Sequence, residues 1–321
     1  MSSVCEKTQN LNIDNFANQM SLVWDDVEFF INQINEYSNG HACINVADIG
    51  SCNGDMSRFI RKYINKNIYT YNVEISEQLN KVAQDRDNKT GLTQNVEYII
   101  GDALKLPFKQ SSMDILIFSR IFHEIFSYKS NTNKNGFSNT SVFDALREAK
   151  RCLKNNGLVI IQDPARPPKY DTEVLLSNFA QKKLLNLNDL LSVDVSTLGT
   201  EDLLRRFLIE FKPVYGKYEI TPHGYVVDKW VASEFIRHRK FNDSQAHWDK
   251  EICELYGPLS ISDYKRIAKT LGFKVRYAQY VRFPKARNFY AINNEFDIMQ
   301  NGKKLVQYTS FPISMYIVLQ K

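Results

Sequence analysis

Ala42-Cys43-Ile44-Asn45-Val46-Ala47-Asp48-Ile49-Gly50-Ser51-Cys52-Asn53-Gly54 decides the fold. An apolar run ends in an acid, bends on glycine and opens into a helical pattern that runs from about residue 54 to 65. This is the first half of a βα unit. Glycine permits the sharp bend and the close approach of a ligand to the backbone. The helix N-terminus beyond it offers N–H groups to a negative charge.

The same alternation continues downstream. NIYTYNVE (67–74) precedes a helical stretch at about 76–86, NVEYIIGD (95–102) a loop, and MDILIFS (113–119) another helix. A helix from about 140 to 153 then meets the turn KNNG, and LVIIQD (158–163) follows. Five such units predict an α/β fold, a doubly wound parallel sheet with helices on both faces and right-handed crossovers.

Upstream, Phe16, Met20, Val23, Val27, Phe30, Ile34 and Tyr37 form one apolar stripe of a helix over 14–37, started by Asp14 and stopped at Asn39-Gly40. The stripe either packs on its own domain or serves as a homodimer seam. Beyond Asp163-Pro164 the alternation stops, and TEDLLRRFLIEF (200–211) and DKWVASEFIRHR (228–239) read as amphipathic helices. A helix–Gly–strand unit at 262–283 and a last strand, PISMYIVLQ (312–320), complete the chain. The expected organisation is an N-terminal helical segment (1–40), a cofactor-binding core (41–163), a helical cap insertion (164–260) and a return to the core (261–321).

The composition excludes several classes. Hydrophobic residues make up 43% and charged residues 24%, as in globular chains. No apolar run approaches the ~18 residues that a membrane span needs. The N-terminus lacks the basic-then-apolar pattern of a secretory signal. The five cysteines (5, 43, 52, 152 and 253) include no C-x-x-C pair, so reduced thiols and a cytoplasmic location are expected. No histidine spacing suits a metal. The net charge of +5, from 41 basic and 36 acidic residues, is too mild to demand nucleic acid.

Three acids fall at the carboxyl ends of successive strands, the edge where doubly wound sheets bind ligands: Asp48, Glu74 and Asp102. A carboxylate at Glu74 can accept two hydrogen bonds from ribose hydroxyls, and one at Asp102 a bond from an adenine amine. The set Asp48-Ile49-Gly50-x-x-x-Gly54, Glu74, Gly101-Asp102-Ala103 and Leu153-Lys154-Asn155-Asn156-Gly157 resembles the class I S-adenosylmethionine-dependent methyltransferases. The resemblance covers roughly 40–163, 260–283 and 313–320. It implies a mostly parallel seven-stranded sheet with an antiparallel last pair. It also implies S-adenosylmethionine as cofactor, with Asp48, Gly50, Ser51 and Gly54 at the methionine part. Glu74 and Ile75 would then meet the ribose, Asp102 and Ala103 the adenine, and Ser119 the cavity edge after the fourth strand. The family often carries glycine where Cys52 stands. A left-handed backbone there would be costly, and Asn53-Gly54 can take over the turn. A nicotinamide enzyme would need G-x-G-x-x-G, which GSCNGDM lacks.

Ser119-Arg120-Ile121-Phe122-His123-Glu124-Ile125 follows the fourth strand and resembles the HE(I/V) stretch of bacterial small-molecule methyltransferases. His123 is a candidate base for a hydroxyl or amine nucleophile, or a packing residue. Glu124 could orient the imidazole or pair with Arg120. Asp163 could bind substrate, orient His123 or cap the next element. The favoured reading is methyl transfer to oxygen or nitrogen of a small molecule. Lys265, Arg266, Lys269, Lys274, Arg276, Arg282, Lys285 and Arg287 leave open an RNA or protein substrate. A cofactor-binding regulator without catalysis is the third reading.

Overall fold

The computed structural model describes residues 13–19, 21–22, 24–64, 67–128, 139–180, 184–214, 218–281, 294–305, 311 and 314–321. The strands are β1 (Ile44–Ile49), β2 (Ile68–Glu74), β3 (Val96–Ile100), β4 (Met113–Ser119), β5 (Leu153–Pro164), β6 (Glu173–Ser177), β7 (Tyr218–Thr221), β8 (Gly224–Asp228), β9 (Lys274–Val281), β10 (Asp297–Gln300), β11 (Lys303–Lys304) and β12 (Ser314–Gln320). Seven of them form one sheet in the order β3-β2-β1-β4-β5-β12-β9. The pairs among β1 to β5 are parallel, and β12 runs antiparallel to both β5 and β9. Order reverses between β1 and β4, so the ends of these two strands open a crevice. β1 and β4 are buried on both faces, as strands covered by helices must be.

Six helices belong with this sheet, and the sequence provides a clear cap at one of them. They are α1 (Ile13–Gln19), α2 (Trp24–Ser38), α3 (Asp55–Tyr63), α4 (Glu77–Thr90), α5 (Phe122–Tyr128) and α6 (Asn139–Cys152). Ser76 caps α4, and Gly91 ends it in the left-handed conformation. The helix at Ile261–Leu271 has a Ser260/Asp263 capping box and stops at Gly272. The expected turn KNNG does not stand apart from the fifth strand. β5 already starts at Leu153, with left-handed Asn156 and a register shift against β4 taking up the turn.

Two expectations need correction. The helix expected over 14–37 is two helices, α1 and α2. No Gly or Pro breaks the segment. Tertiary bonds do: Leu22 N–H donates to Asp55 Oδ2 (2.9 Å), and Asn53 Nδ2 donates to Ala17 O (2.8 Å). Of the stripe, Val27, Phe30 and Ile34 are fully buried in one cluster with Ile44, Val46, Ile60 and Ile115 of their own chain, so among the described residues this face offers no dimer seam. Phe16, Met20 and Val23 lie outside the described side chains.

The cap is likewise not simply helical. It holds helices at Leu187–Ser192, Thr200–Glu210, Lys229–His238 and Gln245–Glu251, together with a five-stranded antiparallel sheet ordered β11-β10-β6-β8-β7. Two of those strands, β10 and β11, come from the part expected to return to the core. Such strands, of two to five residues, are too short for a two-residue period to declare itself. The cap and one face of the main sheet share a hydrophobic cluster that includes Phe118 and Phe122 from the core and Phe207, Phe235 and Trp248 from the cap. Among the described residues, no helix is long and apolar enough to cross a membrane.

Candidate active site

The glycine bend leaves β1 and turns under β4. Gly50 has φ +73°, and a side-chain carbon there would stand 2.8 Å from Ile121. Only glycine lets the two loops meet this closely. Cys52 takes φ +47°, the left-handed state that costs a non-glycine residue about 1–2 kcal/mol. Its N–H donates to Glu74 Oε2 at 2.9 Å, which helps to hold it there. Asn53-Gly54 closes the turn as expected, with Gly54 N–H donating to Ser51 O (2.8 Å) and Asn53 Oδ1 accepting from Asp55 N (3.1 Å).

Glu74, at the tip of β2, is buried and partly committed. Besides the Cys52 bond, its Oε1 accepts from Ile75 N (2.8 Å) and Ser76 N (3.0 Å). A carboxylate has roughly four acceptor positions. Three are used, which leaves room for one ribose hydroxyl and not for the expected two. Burial raises the Glu74 pKa, and the N–H donors of Ser76 and Cys52 pull against that rise. Asp48 is pushed up to about 7, first by burial and then by the charges of Glu74 and Asp55. Asp102 accepts from Leu104 N at 2.9 Å.

These groups converge on one cavity. Its wall includes Asp48, Gly50, Ser51, Glu74 and Ile75, with Asp102, Ala103 and Ser119 completing the side toward β3 and β4. Gly54 is outside the wall. A side-chain carbon there would meet Ala83 at 2.9 Å, so this glycine serves the packing of α3 on α4. Asn53 of the bend also lines the cavity, and so do Leu22, Asp55, Arg120, Ile121 and Tyr128, which were not foreseen as donor contacts. Nothing local in the sequence marks Leu22, whose place depends on the break between α1 and α2.

The catalytic candidates divide. Glu124 lines the cavity, whereas His123 and Asp163 are not among its lining residues. His123 is buried, with Nδ1 2.9 Å from Asp163 Oδ1 and Nε2 3.8 Å from Glu254 Oε2 of the cap. Asp163, not Glu124, therefore orients the imidazole. Burial raises the Asp163 pKa, and His123 draws it back. Tyr128 donates to Glu254 Oε1 at 2.7 Å and so ties the cavity wall to the cap. Glu254 carried no recognisable motif; only the fold brings it to His123. The described part of the basic stretch lies on β9 and the helix before it, at the opposite edge of the sheet from β3, and none of its residues lines the cavity. Arg282, Lys285 and Arg287 fall outside the described residues.

The residues present fit an adenosyl sulfonium amino acid. A carboxyl that ionises readily only when a cation arrives suits an ammonium. Ser51 Oγ is buried in the cavity wall without a partner, a group that a polar ligand would satisfy.

Comparison with known proteins agrees. A family model described as a methyltransferase domain matches residues 47–161. The ubiquinone/menaquinone biosynthesis C-methyltransferase UbiE of Pseudomonas fluorescens is 28% identical over 132 residues, covering 41% of this chain and 46% of that one. Its counterpart from Wigglesworthia glossinidia brevipalpis is 24% identical over 131 residues, covering 41% and 47%. The chain thus spans less than half the length of these relatives. A solved SAM-dependent methyltransferase from Aquifex aeolicus superposes over 97% of this chain and 99% of its own, with a TM-score of 0.46 and 11% identity. The stretch that carries the glycine bend and the strand-tip acids, residues 47–161, thus matches a methyltransferase domain.

Proposed function

We propose that the chain transfers a methyl group from S-adenosylmethionine to an oxygen or nitrogen of a small-molecule acceptor. The observation that carries this reading is the convergence of strand-tip acids Asp48, Glu74 and Asp102 with the glycine bend on a single cavity. Asp48 and the bend would hold the methionine part, Glu74 the ribose, and Asp102 with Ala103 the adenine. The bound donor supplies an electrophilic methyl on a sulfonium. The chain's own residues must exclude water, orient the acceptor and take up a proton where the nucleophile has one to lose.

His123 is the candidate for that proton. With Nδ1–H donated to Asp163, its Nε2 becomes the basic nitrogen, and a neighbouring carboxylate stabilises the imidazolium once it forms. Glu124 lines the donor cavity and would act on the acceptor directly. The UbiE relatives are named C-methyltransferases, which supports a second reading in which the acceptor atom is carbon.

The test is transfer of labelled methyl from the donor into a metabolite extract, with mass spectrometry locating the label. Label on an oxygen or nitrogen of a small molecule is expected, and label on carbon would favour the second reading. Label in RNA or protein would overturn the small-molecule acceptor. Tight binding of S-adenosylhomocysteine with no labelled product would favour a non-catalytic regulator.

A further inference from the structure

We infer that Arg120, together with Ser51, anchors the α-carboxylate of the donor; this rests on the donor reading above. Arg120 is the first residue after β4 and takes φ +57°, a left-handed conformation that long side chains rarely adopt. The structure pins it there. Arg120 N–H donates to Gln162 O at 2.7 Å, and the preceding Ser119 Oγ donates to Gln162 Oε1 at 3.2 Å, so one buried glutamine holds both residues. Strain maintained in this way concentrates at functional positions. Its result here is an arginine in the cavity wall, between Ser119 and Ile121.

Two independent observations say what the arginine meets. The first is charge. Asp48, Asp55, Glu74, Asp102 and Glu124 line the cavity, and Arg120 is the one Lys, Arg or His among the described lining residues. A sulfonium amino acid carries two cationic groups and one carboxylate. The acidic wall suits the cations and repels the carboxylate everywhere except beside Arg120. The second is Ser51. Ser51 lines the same cavity as Arg120, just past the bend at Gly50. The Ser51 hydroxyl is buried and unpartnered. A guanidinium and a hydroxyl donor beside the glycine bend form a carboxylate site at the methionine end of the cavity.

Calorimetry with two probes tests this. S-adenosylhomocysteine carries the carboxylate; its decarboxylated analogue keeps the amine and lacks it. Arg120→Met is expected to weaken S-adenosylhomocysteine about 10- to 100-fold, the worth of a charge-assisted hydrogen bond. The decarboxylated analogue should change less than threefold. Equal loss for both probes would show that Arg120 only shapes the cavity, and no loss for either would place the carboxylate elsewhere; each result overturns the assignment. Unchanged donor affinity with a raised KM for the acceptor would move the anchor to an acceptor carboxylate and overturn it too. Arg120→Gly removes the side chain while relaxing the backbone, so it must show the same selective loss if the Met variant does not fold. Failure of the wild-type chain to bind S-adenosylhomocysteine would sink the donor reading itself, a distinguishable result.

Discussion

Replacing Asp48 with Asn should make the ligand-free protein more stable while weakening its hold on the donor. Burial and the Glu74 and Asp55 charges lift Asp48 from 3.8 to about 7. A rise of about 3 units corresponds to about 4 kcal/mol of destabilisation once the group is ionised in both folded and unfolded chains. Asn carries no charge, but its buried amide costs about 1–3 kcal/mol where it lacks partners. The net gain above pH 7 is therefore about 1–3 kcal/mol. The sign follows from proton counting. A raised carboxyl binds more protons folded than unfolded, so its penalty is complete above pH 7 and shrinks as the pH falls toward 3.8. By pH 5 about 2 kcal/mol of it should remain. Urea unfolding of both proteins without ligand, at pH 8 and pH 5, measures the difference. The variant should lead at pH 8, lose most of that lead at pH 5, and bind S-adenosylhomocysteine at least 10-fold more weakly at pH 8. A variant equally or less stable at pH 8, with no dependence on pH, would refute the argument that Asp48 is a strained, cation-seeking carboxyl.

Other outcomes follow from the same geometry. Glu74→Gln should weaken S-adenosylhomocysteine about 10-fold by calorimetry, since it disturbs both the remaining acceptor position and the anchor on Cys52 N–H. His123→Ala should lower kcat while leaving donor affinity within a few fold; equal losses would identify a packing residue. Cys52→Gly should raise the midpoint of thermal unfolding by a few degrees, because the left-handed backbone then costs nothing, with donor affinity preserved.

The main sheet could be read from the chain because its inner strands are buried runs of one character and helices carry their own stops, as at Gly91 and Gly272. The strand-tip acids were legible for the same reason: once five βα units are placed, their carboxyl ends share an edge. What escaped reading depends on contacts distant in sequence. The break after α1 is set by Asn53 and Asp55, more than thirty residues away. The orientation of His123 by Asp163 was one of several possibilities, and Glu254, 131 positions further on, could not have been paired with it in advance. The left-handed state of Arg120 has no local signal either, since arginine has no preference for it.

The cap sheet has a consequence for how this protein could be altered or could have arisen. β10 lies between β11 and β6, yet the helix at Ile261–Leu271 and β9 separate it in sequence from β6, β7 and β8. Excising 164–260 as a cassette would leave β10 paired only with the two-residue β11 and would uncover its Ile298 and the adjoining Phe296. A transplant of acceptor specificity between relatives would therefore have to move two separate stretches of the gene together.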